Sequence, residues 1–116
     1  MNDSILTSIK KALGPEEIYE HFDPEIIMYI NSVLATLTEL GVGPKDGFMI
    51  EDKTAVWSDF ISDDKLMRLV PTYVYLKVKL VFDPPTIAAV LESFKRQADE
   101  YEWRINAAAE RLSSKS

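Results

Sequence analysis

Residues 72–112, TYVYLKVKLVFDPPTIAAVLESFKRQADEYEWRINAAAERL, decide the architecture. Helical apolar spacing holds on both sides of Asp83-Pro84-Pro85. The two prolines forbid one continuous helix, because proline lacks the amide donor and clashes with the preceding turn. Downstream, 86–112 reads as a helix in which Ile87, Val90 or Leu91, Phe94, Ala98, Tyr101, Ile105, Ala108 and Leu112 recur every three or four residues. Such a helix is roughly 40 Å long, whereas a compact domain of this size is only about 35 Å across. Part of it must project or meet another chain. Upstream, 63–82 reads as a helix opened by Ser62 and Asp63-Asp64. Leu66, Leu69, Tyr73, Leu76 and Leu80 form one apolar stripe, and Val70, Val74, Val78 and Val81 another. A helix apolar nearly all round is usually central. Pro71 predicts a kink, or a helix that starts near Val70.

Three of the four glycines fall between residues 41 and 47 and mark the principal loop. Within 41–60, Phe48-Met49-Ile50 and Thr54-Ala55-Val56-Trp57 suit two short strands around a turn at Glu51-Asp52-Lys53, or an irregular loop lying on other elements. The spacing predicts a helix over 24–40, with Asp23 as N-cap, Pro24 in the first turn and a stripe of Ile26, Ile30, Val33, Leu37 and Leu40. A shorter helix is expected over 3–13, capped by Asn2 or Asp3 and ended by Gly14-Pro15, with a further turn within 16–22. The chain therefore reads as mainly α: one domain over 1–116, about four helices with a long C-terminal one, a hairpin or loop at 41–60, and 113–116 as a flexible tail.

The 116 residues are 47% apolar and 28% charged, a globular balance with enough apolar surface for one core. With no cysteine, disulfides, thiolate metal sites and cysteine nucleophiles are excluded. No 18-residue apolar span occurs, and the lysines of the first helix follow its apolar residues, the wrong order for a signal peptide. Net charge is −6, divided as −7 over residues 1–60 and +1 over 61–116. That balance disfavours general DNA binding, which needs clustered cations.

The lone histidine, His21, has no nucleophile or orienting acid in reach of sequence argument and reads as a loop or capping residue. Asp46, Glu51, Asp52 and Asp59 lack EF-hand spacing and read as a solvated acidic loop. Lys77, Lys79, Lys95, Arg96, Arg104 and Arg111 are interleaved with acids. Glu92–Arg96 and Glu100–Arg104 are expected i,i+4 pairs. Trp103 falls off the main stripe of its helix, so it is either exposed, as interface tryptophans are, or packed on the 41–60 loop. No catalytic or cofactor motif occurs, so neither an enzyme nor a cofactor is expected.

The ordered set HFDPEIIMYINSVLATLTELGVGP, GFMI, WSDFI, TYVYLKVKLVFDPP and YEWRINAAAE resembles the small head–tail connector, or head-completion adaptor, proteins of tailed phages and prophages of Gram-positive bacteria. The likeness spans Ile5 to about Glu110, and Pro71 departs from the pattern, where a polar helix former is expected. The resemblance implies a structural virion protein, assembled in the bacterial cytoplasm and resident at the head–tail junction. It implies a ring, commonly of twelve copies, that docks under the portal, extends the DNA channel and carries the next connector, stopper or tail protein. DNA would pass without specific binding, and no membrane is involved. By the same analogy Trp103, Arg104, Arg111 and Leu112 face the portal. Asp46, Phe48, Glu51, Asp52 and Lys53 face the channel or the next ring. A ring requires two different patches per subunit, and the second face of the 63–82 helix suits a neighbour: Val74, Val78 and Val81, with Phe94 and Tyr101. On that reading Val74→Glu or Val78→Glu abolishes the ring. The alternative is a small acidic regulatory or interaction module, dimeric through its last helix, although Ala107–Ala109 make a poor coiled-coil seam.

Overall fold

A computed structural model describes residues 3–14 and 20–114. Among the described residues its helices are α1 (Ile5–Leu13), α2 (Asp23–Glu39), α3 (Trp57–Phe60), α4 (Asp64–Phe82) and α5 (Ala88–Ser114), with a 3-10 turn at Glu20–Phe22 before α2. No strand occurs among the described residues. Residues 16–19 of the expected extra turn lie outside them, as do Lys115 and Ser116. Helix α5 reaches two residues into the stretch expected to be a tail.

Helix α4 is the hub and packs on α1, α2 and α5, as an all-round apolar helix must. Its residues Val70, Tyr73, Val74 and Val78 are fully buried. The helix begins at Asp64, capped by Asp63, whose carboxylate accepts from the Leu66 amide at 3.0 Å. Ser62 is therefore not the cap. Pro71 sits inside the helix, so α4 neither starts at Val70 nor stops at the proline. The lost hydrogen bond costs about 3 kcal/mol. Burial of the flanking Val70, Tyr73 and Val74 outweighs it, each large apolar side chain contributing about 1.5–3 kcal/mol.

Two other caps differ from expectation for physical reasons. Ser4, not Asn2 or Asp3, caps α1 by accepting from the Thr7 amide at 3.2 Å. Phe22 occupies the cap position of α2, because Asp23 is already helical and its carboxylate pairs with Lys10 at 2.7 Å. That ion pair ties the start of α2 to α1. At the other end of α2 the Gly41 amide donates to Thr38 and the Val42 amide to Leu37, with Gly41 at φ +93°, closing the helix in a Schellman turn.

Of the 41–60 segment, Trp57–Phe60 are α3 and residues 41–56 are a loop rather than a hairpin. Asn31 of α2 holds it like a missing strand: its Nδ2 donates to the Ile50 carbonyl at 3.0 Å, and its Oδ1 accepts from the Ile50 amide at 2.8 Å. Residues 55–57 pair instead with the N-terminus. The Ile5 amide donates to Ala55, the Trp57 amide donates to Asp3, and Ser4 bridges Val56. Trp57 is buried and donates its indole N–H to Ser8 Oγ at 2.9 Å. The turn expected at Glu51-Asp52-Lys53 forms one residue later, over Asp52, Lys53 and Thr54, and two hydrogen bonds from Thr54 hold the Asp52 carboxyl below its usual range.

Helices α4 and α5 run antiparallel. Tyr73 Oη donates to Glu102 Oε1 at 2.6 Å, and the Tyr75 and Phe94 rings meet edge-on at 6.1 Å. Burial, reinforced by the Glu102 contact, pushes the Tyr73 phenol well above its ordinary pKa. We expect Tyr73→Phe to cost roughly 1.5–3 kcal/mol, since the bond has a charged partner. Above pH ~10 the unfolded phenol releases its proton while the folded one keeps it, so wild-type stability falls as pH rises. Urea melts between pH 8 and 11 should therefore show a shallower alkaline decline in Tyr73→Phe than in wild type; parallel declines would refute it.

Candidate functional site

Three surfaces stand out on this frame. The first is the α4–α5 tip. Helix α5 has no buried residue from Ala88 to Gln97; burial starts at Ala98 and continues at Ile105, Ala108 and Ala109. A helix of 27 residues, about 40 Å long, thus lies along a molecule whose longest extent is 42 Å, and its N-terminal third has little beneath it. Around the Asp83-Pro84-Pro85 turn, Val81 is 56% exposed and Ile87 65%, with Val90 also open. Phe22 stacks edge-on against Phe82 at 5.7 Å and extends this apolar tip.

The proposed interface residues separate here. Val81 is open, Phe94 is half-buried against Tyr75, and Tyr101 is half-buried against the core. Val74 and Val78 are enclosed completely by their own chain, so no neighbour reaches them. Helix α4 was apolar on two faces because it is covered on both, by α5 on one side and by α1 and α2 on the others.

The second surface surrounds Trp103, which is 72% exposed. It does not pack on the 41–60 loop. Beside it runs a groove lined by Lys65, Arg68 and Leu69 of α4 and by Arg104, Ala107 and Arg111 of α5. Trp103, Ala107 and Arg111 are spaced by four and share one helix face. Arg104 pairs with Glu100 at 3.4 Å as expected, whereas Glu92 pairs with Lys95, at 3.8 Å, rather than with Arg96. Leu112, one residue past the groove, is also exposed. Trp103, Arg104 and Arg111 therefore line one groove, whereas Leu112 lies outside its lining. Lys65 and Arg68 join it only through the antiparallel pairing of α4 with α5, which brings the start of one beside the end of the other. Folding the sequence back at Asp83-Pro84-Pro85 was the signal that could have found them.

The third surface is a groove between the outer face of α2 and the start of the loop. Met28, Ala35, Phe48 and Met49 supply its apolar lining, and Glu39 and Asp46 its charges. Met28 is 55% exposed and Met49 72%. Of the loop residues singled out from sequence, Asp46 and Phe48 line this groove. Phe48 also leans on Phe60, with ring centroids 5.3 Å apart. Glu51, Asp52 and Lys53 are exposed on the turn beyond it.

The remaining acids have structural tasks. Asp59 accepts from the Val56 amide at 2.9 Å and caps α3, and Asp52 braces Thr54. No group of three or more His, Asp or Glu side chains among the described residues is placed to hold a metal ion. His21 lies exposed in the 3-10 turn, its ring edge-on to Phe22 at 5.1 Å. No helix of the described residues is long and apolar enough to cross a membrane. The chemistry on offer is that of docking: an apolar tip, a basic aromatic ridge and an acidic methionine groove.

A family model described as phage connector protein matches residues 5–112. No curated protein and no solved structure matches the chain.

Proposed function

The chain belongs to the phage connector protein family, and from that premise we propose that it is the adaptor that forms a ring beneath the portal once DNA is packaged, extends the DNA channel and carries the next connector, stopper or tail protein. The observation that supports assembly most directly is the α5 tip. Ten helical residues without one buried side chain, beside open Val81, Ile87 and Val90, suit a chain whose partner surface lies on another molecule. Val81 and Phe94, with the partly covered Tyr101, are the residues we place at the contact between copies, and twelve is the subunit number that the family resemblance implies.

The C-terminal end of α5, with Arg111 and Leu112 and the preceding Trp103 and Arg104, is the portal-facing candidate. The exposed loop around Glu51, Asp52 and Lys53, with Asp46 and Phe48, is assigned to the channel or to the next ring. A net charge of −6 suits a passage in which DNA slides without sticking, because like charges repel. The role is structural rather than catalytic, and its place is the virion. The dimeric regulatory alternative needs α5 as a coiled-coil seam, but Ala98, Ile105 and Ala108 already pack within the chain.

Co-sedimentation with the portal protein of the same phage, imaged by negative stain, tests the reading. A ring added beneath the portal is expected, and its image gives the symmetry. A folded sample that binds no portal across salt and concentration would overturn it.

A further inference from the structure

We propose that the α5 helices of successive copies pack side by side and parallel, with the Lys65–Arg68 flank of one copy against the Asp99–Glu102 flank of the next. Exposed Trp103 separates two grooves. On one side lie Lys65, Arg68 and Leu69 of α4 with Arg104, Ala107 and Arg111 of α5. On the other lie Asp99, Glu102 and Asn106 of α5 with Leu40, just past α2. At 3.6 residues per turn, positions 104, 107 and 111 fall to one side of Trp103 and positions 99, 102 and 106 to the other. The two flanks therefore run along opposite edges of the same helix.

Charges already satisfied within the chain are set aside first. Arg104 is paired with Glu100, and Arg111 is engaged within its own chain. Lys65 and Arg68 then remain on one flank, and Asp99 and Glu102 on the other, none of them in an ion pair among the described residues. Glu102 accepts from the Tyr73 hydroxyl, a neutral donor, so no cation balances it. Asp64, one residue before Lys65, lines neither groove. Charge then selects the packing. Rotation about an axis along α5 sets the cationic flank of each copy against the anionic flank of the next, in a pair or in a closed ring. A two-fold axis across α5 sets each flank against its own copy, and that juxtaposition of like charges is disfavoured. Half-buried Leu69 and Leu40 put apolar surface beside the charges on each flank. The inference deepens the ring reading, on which it rests for its place in the particle, and leaves the Arg111–Leu112 end for the portal.

The chain has no cysteine, so two single-thiol variants read the contact directly. Ala107→Cys marks the cationic flank and Asn106→Cys the anionic one. Mixed in equal amounts at low salt under mild oxidation, free and on the portal, they should join position 106 to position 107 in preference to either homodimer, as read by peptide mapping. Adding Arg68→Glu to the Ala107→Cys chain should lower that yield about ten-fold, because an attractive contact becomes a repulsive one. Adding Asp99→Lys to the Asn106→Cys chain as well should restore it. Both positions are exposed, so the reversals leave the fold intact, which circular dichroism checks; Lys65→Glu is the second variant of the cationic flank. Asp99 is chosen over Glu102 because Glu102 holds Tyr73. A statistical mixture of the three dimers, preferred 106–106 or 107–107 pairing, no cross-link in either setting, or no rescue by the reversed pair would overturn the contact. So would full-strength ring formation on the portal by Arg68→Glu, which leaves the ring reading standing. A wild-type chain that binds no portal, while the thiol variants pair 106 to 107, supports the contact and overturns the ring reading alone.

Discussion

Val74→Glu and Val78→Glu are expected to unfold the protein, not merely to disperse a ring. Both side chains are completely shielded by α4's own neighbours. Replacing either forfeits the burial of a valine, about 1.5–3 kcal/mol, and places a carboxyl where no polar partner waits. A carboxyl so buried has its pKa raised by up to 3–5 units, so at pH 7 it must take up a proton on folding, which costs about 3.5 kcal/mol for the roughly 2.7 pH units above the unfolded value at 1.36 kcal/mol per unit. Together these reach the lower end of a small domain's stability, roughly 5–15 kcal/mol. The sign with pH follows. The folded-state pKa lies above the unfolded value near 4.3, so the charge penalty is absent below that pH and grows as pH rises. Urea melts should show each variant closest to wild type at pH 4 and worst at pH 7. Val81→Glu is the contrast: at 56% exposure it should change stability by about 0.5 kcal/mol or less. It is therefore the α4 variant whose effect on assembly can be read. A folded, wild-type-stable Val74→Glu at pH 7 would overturn the burial argument.

The reversal for Val74 and Val78 marks a limit of sequence reading. A helix apolar on every face is recognisably central, but its pattern does not say which neighbour covers which side. In α4 the answer lies in partners far along the chain: α5 through Tyr73 and Glu102, and α1 and α2 on the other sides. The helices α2, α4 and α5 were legible because their signals are local. Stripes repeat every three or four residues, and Pro24, Gly41 and Asp83-Pro84-Pro85 punctuate them. Trp103 breaks the stripe of its own helix, which left two readings, exposed or packed on the 41–60 loop; its 72% exposure selects the first.

The loop was not legible, because its course is set by one side chain outside it. Asn31 bonds both backbone groups of Ile50 across 19 positions, and the same periodicity that flags Phe48-Met49-Ile50 as strand-like says nothing about that partner. The caps failed similarly. Asp23 has the right chemistry for a cap but is drawn to Lys10 on another helix. At the candidate sites, Trp103, Arg104, Arg111 and Leu112 were singled out by the family resemblance, and all four lie on the single helix α5. Those contributed by a second element were not: Lys65 and Arg68 beside α5, and Met28, Ala35 and Glu39 beneath the loop. A surface built from two elements needs the fold before it can be seen.

Gly43→Ala should be the most damaging of the alanine substitutions at Gly41, Gly43 and Gly47. Gly43 holds φ at +83°, the left-handed region that costs an L-residue roughly 1–2 kcal/mol. A Cβ built there would lie 2.5 Å from Cε1 of the Phe60 ring and 2.9 Å from its Cδ1. Phe60 is buried on α3 and leans on Phe48, so its ring has little room to retreat. Forcing an extra methyl into such packing adds about 1–3 kcal/mol, for a total of roughly 2–5 kcal/mol. Gly47 supplies the control. It has a similar φ, +93°, but open space where the Cβ would go, so Gly47→Ala should cost only the backbone share. The pair separates strain from clash, and Gly43→Ala combined with Phe60→Leu extends the separation by substituting a smaller side chain at the clash. Chemical denaturation should rank Gly43→Ala well below Gly47→Ala. The double variant should lie above the additive expectation, because neighbours in contact couple. Equal losses at the two glycines would mean that Phe60 moves aside freely. The α3 turn would then be a loose lid over the loop instead of the wall that fixes the Phe48 side of the acidic groove.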